Sequence, residues 1–173
     1  MRSTDHKYFI PRRFWLFLAA DALLFVALFS GYLMLRAESV TWPDRFSGFP
    51  WLETLLLVGA SAAFGATRFR LIASHALGLT FVVIRLAADA SAIGKGPLPA
   101  NNLMLASWYT LTWLHVFHVL AGAGFTGWLA GPSFAMAEDD RDRFGARVDA
   151  TLKYWLFVDL VWLLIVTSFY VWP

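Results

Sequence analysis

The fold of this 173-residue chain is decided by one long apolar stretch, Trp108-Tyr-Thr-Leu-Thr-Trp-Leu-His-Val-Phe-His-Val-Leu-Ala-Gly-Ala-Gly-Phe-Thr-Gly-Trp128. A helix of roughly 20 apolar residues crosses the hydrocarbon core of a bilayer, so this stretch is long enough to span one. It carries His115 and His118 near its middle, and residues three apart share one helix face. A stripe of small residues on which another helix can pack closely follows at a spacing of four: Ala123, Gly127 and Gly131. The stretch therefore predicts a membrane helix with a polar contact face.

The composition of the whole chain also indicates a membrane protein. Hydrophobic residues make up 59% of the chain and charged residues 15%, whereas soluble domains average about 45–50% apolar residues. The chain has no cysteine, which excludes disulfides, thiolate metal sites, iron–sulfur clusters and covalently attached c-type haem. A net charge of +2 is too small to indicate a nucleic-acid partner.

Connectors rich in proline, glycine and charge divide the rest of the chain. We predict an all-α fold, a single membrane domain over residues 1–173 built as a bundle of five transmembrane helices. The predicted spans lie at about residues 14–35, 51–67, 74–93, 103–129 and 154–171. The charged segment at residues 138–149 is predicted to be a solvated loop without a function of its own.

The placement of lysine and arginine predicts the orientation. Ten of them fall in the N-terminal tail, the turn between the second and third spans, and the loop between the fourth and fifth spans. The opposite side holds only Arg36, Arg45 and Lys95. Because cytoplasmic loops are enriched in these residues, we expect the N-terminus in the cytoplasm and the C-terminus on the outer, periplasmic side.

Ionisable residues inside the spans are the candidate functional residues, since each costs at least about 2.5–3.5 kcal/mol near the bilayer centre if unpaired. Asp21 in the first span, His118 in the fourth and Asp159 in the fifth are predicted at similar depth, with His115 one turn further out. We therefore predict a buried, hydrogen-bonded polar cluster of these four residues. Its role would be structural, with proton handling as a further option.

The third span carries two charges, Arg85 and Asp89, at positions i and i+4. This spacing predicts an intramembrane ion pair on one helix face, whose simplest role is mutual neutralisation. We predict no catalytic, cofactor-binding or metal site. A bis-histidine haem would need a histidine on a second helix at matching depth, and His75 lies roughly 15 Å of helix rise from the level of His115 and His118.

Three stretches of the chain resemble one family. They are Trp15-Leu-Phe-Leu-Ala-Ala-Asp21-Ala-Leu-Leu-Phe25, then His115-x-x-His118-Val119-x-x-Gly122, and finally Tyr154-Trp155-Leu-Phe157-Val158-Asp159-Leu-Val161-Trp162. In sequence and order they resemble cytochrome c oxidase subunit III, the haem–copper oxidase subunit III family, in its five-helix form. Weaker similarity covers Thr54-Leu-Leu-Leu-Val-Gly-Ala-Ser-Ala. Asp21 stands where that family usually has glutamate.

The resemblance implies a subunit that has no active centre and no redox cofactor of its own. It implies oxidase subunits I and II as partners, with haem and copper in the catalytic subunit, and contact with membrane lipids. The expected role is to stabilise the catalytic subunit of a proton-pumping, oxygen-reducing complex and to assist proton or oxygen delivery. The expected location is the inner membrane of a bacterium. The electron donor and membership of a larger respiratory supercomplex are left open.

Three alternatives remain at the level of sequence. The nitric oxide reductase accessory protein belongs to the same family and shares its motifs. A small proton channel or transporter could use Arg85, Asp89 and Asp21, although five spans do not divide into equal inverted halves. A di-haem membrane cytochrome is the third alternative.

Overall fold

The computed structural model describes residues 10, 12–39, 42, 46, 48–94, 100, 102–135 and 140–171. These described residues form four long helices, a shorter apolar helix and two short helical segments, and they contain no strand. The elements are α1 (Arg12–Glu38), α2 (Trp51–Ala63), α3 (Arg68–Ile93), α4 (Leu103–Ala130), α5 (Pro132–Ala135), α6 (Arg141–Val166) and a π-helix (Thr167–Val171). The all-α prediction is confirmed.

Four helices are long and apolar enough to cross a membrane: α1, α3, α4, and α6 with its π-helical continuation. The remaining predicted span, residues 51–67, corresponds to α2, which is apolar but has only 13 residues. We call the end of the bundle at which α1 begins the lower end, and the end at which α1 finishes the upper end.

The short α2 ends at Ala63, four residues before the predicted limit of the second span. Phe64 adopts an extended conformation (φ −58°, ψ 143°), and Thr67 caps α3 by accepting a hydrogen bond from the Arg70 backbone N–H at 3.4 Å. The third helix therefore begins at Arg68, six residues before the predicted span.

The charged segment before the last span is helical, so the predicted loop over residues 138–149 is wrong from residue 141 onward. Asp140 caps α6 by accepting a hydrogen bond from the Arg143 backbone N–H at 3.0 Å. Phe144 is buried and packs edge-on against Phe134, with ring centroids 5.7 Å apart. One apolar anchor and a good N-cap are enough to hold a charged segment in helical form while its polar face stays in water.

The core lies between α2, α3, α4 and α6, where large side chains fill spaces left by glycines. A Cβ on Gly78 of α3 would lie 2.6 Å from the Trp155 ring of α6, and one on Gly122 of α4 would lie 3.2 Å from the Tyr154 ring. Both tryptophans of the α6 core donate from their indole N–H. Trp155 bonds Thr126 of α4 at 2.9 Å, and Trp162 bonds Thr54 of α2 at 3.0 Å.

By contrast, α1 lies on the edge of this core, with only Phe25 and Tyr32 buried. The Tyr32 hydroxyl donates to the Ser168 carbonyl in the π-helix at 2.9 Å. The Phe46 N–H donates to the Phe169 carbonyl at 3.1 Å, so the connector after α1 is joined to the same segment. The π-helix thus ties α1 and its connector to the upper end of the bundle.

Candidate functional site

Asp21 of α1 and His118 of α4 face each other in the interior of the bundle. Asp21 Oδ2 lies 3.7 Å from His118 Nε2, and the two side chains are 15% and 8% exposed. His118 Nδ1 lies 2.7 Å from the Leu114 carbonyl, which can only accept, so Nδ1 carries its hydrogen and Nε2 is turned toward the carboxylate. At 3.7 Å the contact is electrostatic and too long for a hydrogen bond.

The surroundings of this contact are largely apolar. Phe25 presents its ring to the imidazole edge-on at 5.1 Å, and the backbone carbonyl of His118 accepts from the Tyr154 hydroxyl at 3.1 Å. Asp21 Oδ2 is buried and has no hydrogen-bond partner among the described residues. Chemically, the arrangement can hold a proton between a carboxylate and an imidazole.

His115 lies one turn before His118 on α4 and is fully buried. Its ring stacks on Trp162 of α6, with centroids 5.3 Å apart and planes 24° apart, and meets Phe81 of α3 edge-on at 5.8 Å. Neither ring nitrogen has a hydrogen-bond partner within the part of the chain that the structure describes. Aromatic packing, not hydrogen bonding, fixes this imidazole.

Asp159 of α6 faces α2, where it is close enough to interact with the Ser61 side chain. Its Oδ1 atom and the Ser61 hydroxyl are both buried without a hydrogen-bond partner in the described ranges. The structure therefore brings Asp21 and His118 together and directs Asp159 and His115 to other neighbours. Over the described residues, no hydrogen bond joins the four side chains into one network.

Arg85 and Asp89 of α3 are paired as their spacing predicts, with Arg85 Nη2 2.5 Å from Asp89 Oδ1. The pair belongs to a larger site. Arg85 Nη1 also contacts both carboxylate oxygens of Glu53 in α2, at 3.2 and 3.0 Å, and the Trp113 indole of α4 donates to Asp89 Oδ2 at 3.0 Å. We call Glu53, Arg85 and Asp89 the charged triad, which joins α2 to α3 and reaches α4 through Trp113.

The triad is buried beneath aromatic rings at the upper end of the bundle. The Arg85 guanidinium lies 5.4 Å from the centre of the Trp108 ring. The phenols of Tyr109 and Tyr170 lie within electrostatic range of Arg85 and Asp89.

The sequence prediction did not include Glu53 or Trp113 among the site residues. For Glu53, however, the sequence contains a feature that indicates a partner of Arg85. Glu53 is the one acidic residue in the second predicted span, two residues from that span's upper end, and Asp89 lies near the same end of the third span. An acidic residue at matching depth on the neighbouring helix is a natural partner for a buried arginine. Trp113 lies ten residues inside the fourth predicted span, and nothing in the sequence indicates which acidic residue its indole meets.

His75 of α3 makes a contact that the sequence did not predict. Its Nδ1 lies 2.8 Å from the Ala123 carbonyl of α4, and its ring covers Gly127, where a Cβ would come within 3.0 Å. The small-residue stripe thus receives α3 at Ala123 and Gly127, as predicted. Gly131 instead ends α4.

A cavity of about 620 Å³ lies at the lower end between α1, α4 and α6. Its wall is mainly apolar but includes two arginines of α6, one of which stacks on Trp128 at 5.0 Å. The lining residues are Phe14, Phe17, Ala121, Phe125, Arg143, Ala146, Arg147, Ala150, Thr151 and Tyr154. Among the described residues, no group of three or more histidine, aspartate or glutamate side chains is arranged to hold a metal ion.

No protein-family model matches the chain, but individual curated proteins match it over most of its length. Cytochrome bo(3) ubiquinol oxidase subunit 3 of Pseudomonas putida is 26% identical over 174 residues, which cover 91% of this chain and 83% of that protein. A probable quinol oxidase subunit 3 of Staphylococcus haemolyticus is 26% identical over 175 residues, covering 91% and 86%. Cytochrome c oxidase subunit 3 of Bacillus sp. strain PS3 is 24% identical over 174 residues, covering 91% and 83%.

Over 91% of its length the chain is thus similar to proteins named subunit 3 of quinol and cytochrome c oxidases, which supports the haem–copper oxidase subunit III family. The resemblance that the sequence motifs predicted is thereby confirmed. The motifs that carry the resemblance lie on α1, α4 and α6, the helices that carry Asp21, His118 and Asp159. Glu53, Arg85 and Asp89 lie outside the three main motifs, on α2 and α3.

Proposed function

We propose that this chain is the non-catalytic subunit III of a haem–copper terminal oxidase in aerobic respiration. The observation that carries the proposal is that relatives named subunit 3 of such oxidases align with 91% of the chain. Their names favour the oxidase over the nitric oxide reductase accessory protein and over a channel or transporter. The names divide between quinol and cytochrome c oxidases, so the proposal is for a terminal oxidase with either donor.

We further propose that the chain crosses the inner membrane of a bacterium five times, with its N-terminus in the cytoplasm. Among the five proposed spans, α2 is too short to cross the membrane as a helix alone, because its 13 residues rise only about 20 Å. A hydrocarbon core of about 30 Å needs roughly 20 helical residues, so residues on either side of α2 would complete this crossing.

The backbone carbonyls at the end of α2 have a partner in Arg70. Its guanidinium donates to the Ala63 carbonyl at 3.0 Å and to the Ala62 carbonyl at 3.3 Å, which satisfies the end of α2. Backbone groups without partners are costly in lipid, so this cap supports a spanning role for α2. The arginine also adds to the positive charge at the lower end, which supports the cytoplasmic assignment of that end.

The proposed partners are oxidase subunits I and II, with haem and copper in the catalytic subunit and no redox cofactor in this chain. Membrane lipids are further proposed partners. An apolar cavity edged by Arg143 and Arg147 fits an acyl chain with a negatively charged headgroup, which supports the lipid proposal. The chain would stabilise the catalytic subunit during turnover, and the Asp21–His118 contact would help to deliver protons to it.

Affinity purification of the tagged chain in mild detergent tests the subunit assignment, with mass spectrometry and an optical spectrum of the eluate. We expect the large haem–copper subunits to copurify and the eluate to show haem bands. A colourless chain without these subunits, under conditions that keep other respiratory complexes intact, would refute the assignment. As a control, an untagged strain should yield neither the subunits nor the haem bands.

A further inference from the structure

The charged triad contains one more negative than positive group. The side chains of Glu53, Arg85 and Asp89 are 8%, 8% and 3% exposed, so solvent does little to screen them. Among the residues that the structure describes, the other groups that contact the triad are neutral: the Trp113 indole and the Trp108 ring. The phenols of Tyr109 and Tyr170 face it without supplying positive charge. With both carboxylates ionised, the site would hold an uncompensated buried charge.

A buried carboxylate without a counter-charge is expensive, and such a group usually becomes neutral by binding a proton. When two carboxylates share one site, one of them retains its proton most readily. We propose that the charged triad is a proton-binding site, in which Glu53 holds one proton at neutral pH and Arg85 with Asp89 forms a balanced ion pair.

The hydrogen bonds decide which carboxylate takes the proton. Asp89 receives a separate donor on each oxygen, one from Arg85 Nη2 and one from the Trp113 indole. The two oxygens of Glu53 share the single nitrogen Arg85 Nη1. Hydrogen bonds to the ionised form favour ionisation, so the negative charge belongs on Asp89 and the proton on Glu53.

One effect opposes this assignment. Glu53 lies in the first turn of α2, where the helix dipole stabilises a negative charge by about 0.3–1 kcal/mol. The penalty for an unpaired buried ion is several kcal/mol, so burial outweighs the dipole.

This site is distinct from the Asp21–His118 contact. Glu53 and Asp89 join α2 to α3 near the upper end, whereas Asp21 and His118 join α1 to α4. The inference depends on the charges and contacts of the triad, so it holds whether or not the chain is an oxidase subunit.

Infrared spectroscopy of the purified full chain tests the proposal, because a protonated carboxyl group has a C=O stretching band that a carboxylate lacks. The chain has three glutamates, at positions 38, 53 and 138. In the variant Glu38→Gln/Glu138→Gln, Glu53 is the only glutamate and the triad is untouched. Glutamate labelled with carbon-13 at its carboxyl group then shifts the band of Glu53 alone.

We expect a carboxylic acid band at neutral pH that shifts with the label. The same background with Glu53→Gln should lose the band, and Asp89→Asn should also lose it, because Arg85 would then balance an ionised Glu53. Absence of a label-sensitive band in the variant with Glu53 as its sole glutamate would overturn the proposal. A band that persists in Asp89→Asn would overturn the charge-balance argument.

Discussion

Buried ionisable side chains occur in two regions of this chain, and their surroundings differ. In the charged triad, Arg85 contacts two carboxylates and the Trp113 indole bonds the remaining oxygen of Asp89. At Asp21, one carboxylate oxygen is buried without a hydrogen-bond partner in the described residues, and His118 lies 3.7 Å away. The first region is held by several short hydrogen bonds, whereas the second is held by one longer electrostatic contact.

This difference separates a site that fixes helices from a site that can change its bonding. Loss of Arg85, the central member of the triad, leaves a buried carboxylate without its counter-charge, which is costly. Loss of Asp21 removes a contact that is not a formed hydrogen bond. We therefore expect stability to depend chiefly on the triad and turnover behaviour to depend on Asp21.

The substitution Arg85→Met should have the largest effect, because it leaves Asp89 buried without its counter-charge. We expect a loss of about 3–5 kcal/mol in the free energy of unfolding in detergent. The exposed Arg68→Met on the same helix is the matched control and should change little. Adding Asp89→Asn to Arg85→Met should recover part of the loss, and equal effects of Arg85→Met and Arg68→Met would contradict the structure.

Trp113→Phe should have the next largest effect. It keeps an aromatic ring but removes the indole N–H from Asp89 Oδ2, which leaves a buried acceptor unsatisfied. We expect a loss of about 1–3 kcal/mol, measured by the same unfolding assay. Trp15→Phe on the exposed face of α1 is the control, and a loss there as large as that at Trp113 would argue against the bond.

Asp21→Asn should change the unfolding free energy of the chain by less than about 1 kcal/mol, since no hydrogen bond is lost. In the intact complex we expect near-normal initial oxygen consumption and faster loss of activity over repeated turnovers. The time course of oxygen consumption by the purified complex is the measurement. Activity decay equal to that of the unmodified complex would refute the role proposed for Asp21.

His115→Leu should have the smallest effect. The change removes aromatic stacking worth about 0.5–1.5 kcal/mol. It also removes two buried nitrogens that have no hydrogen-bond partner among the described residues, a burial that costs about 1–3 kcal/mol. We expect a net change within about 1 kcal/mol. His75→Leu removes a hydrogen bond between α3 and α4 and should be the more damaging of the two. The reverse order in thermal unfolding would contradict the packing described here.

The sequence by itself determined the helical class, the approximate positions of the apolar segments and the resemblance to oxidase subunit III. These follow from local properties, namely apolar length, helix-breaking connectors and motifs that run along single helices. The Arg85–Asp89 pair was also visible, because residues four apart on one helix must be neighbours.

Only the tertiary structure decided which polar groups meet across helices. It joined Glu53 to Arg85, paired Asp21 with His118, and turned His115 toward Trp162 and Asp159 toward Ser61. These contacts depend on how each helix is rotated and on where it starts, and both are set by packing between helices. α2 ends earlier and α6 begins earlier than the sequence predicted. Helix caps and single buried side chains determine these boundaries more strongly than average hydropathy does.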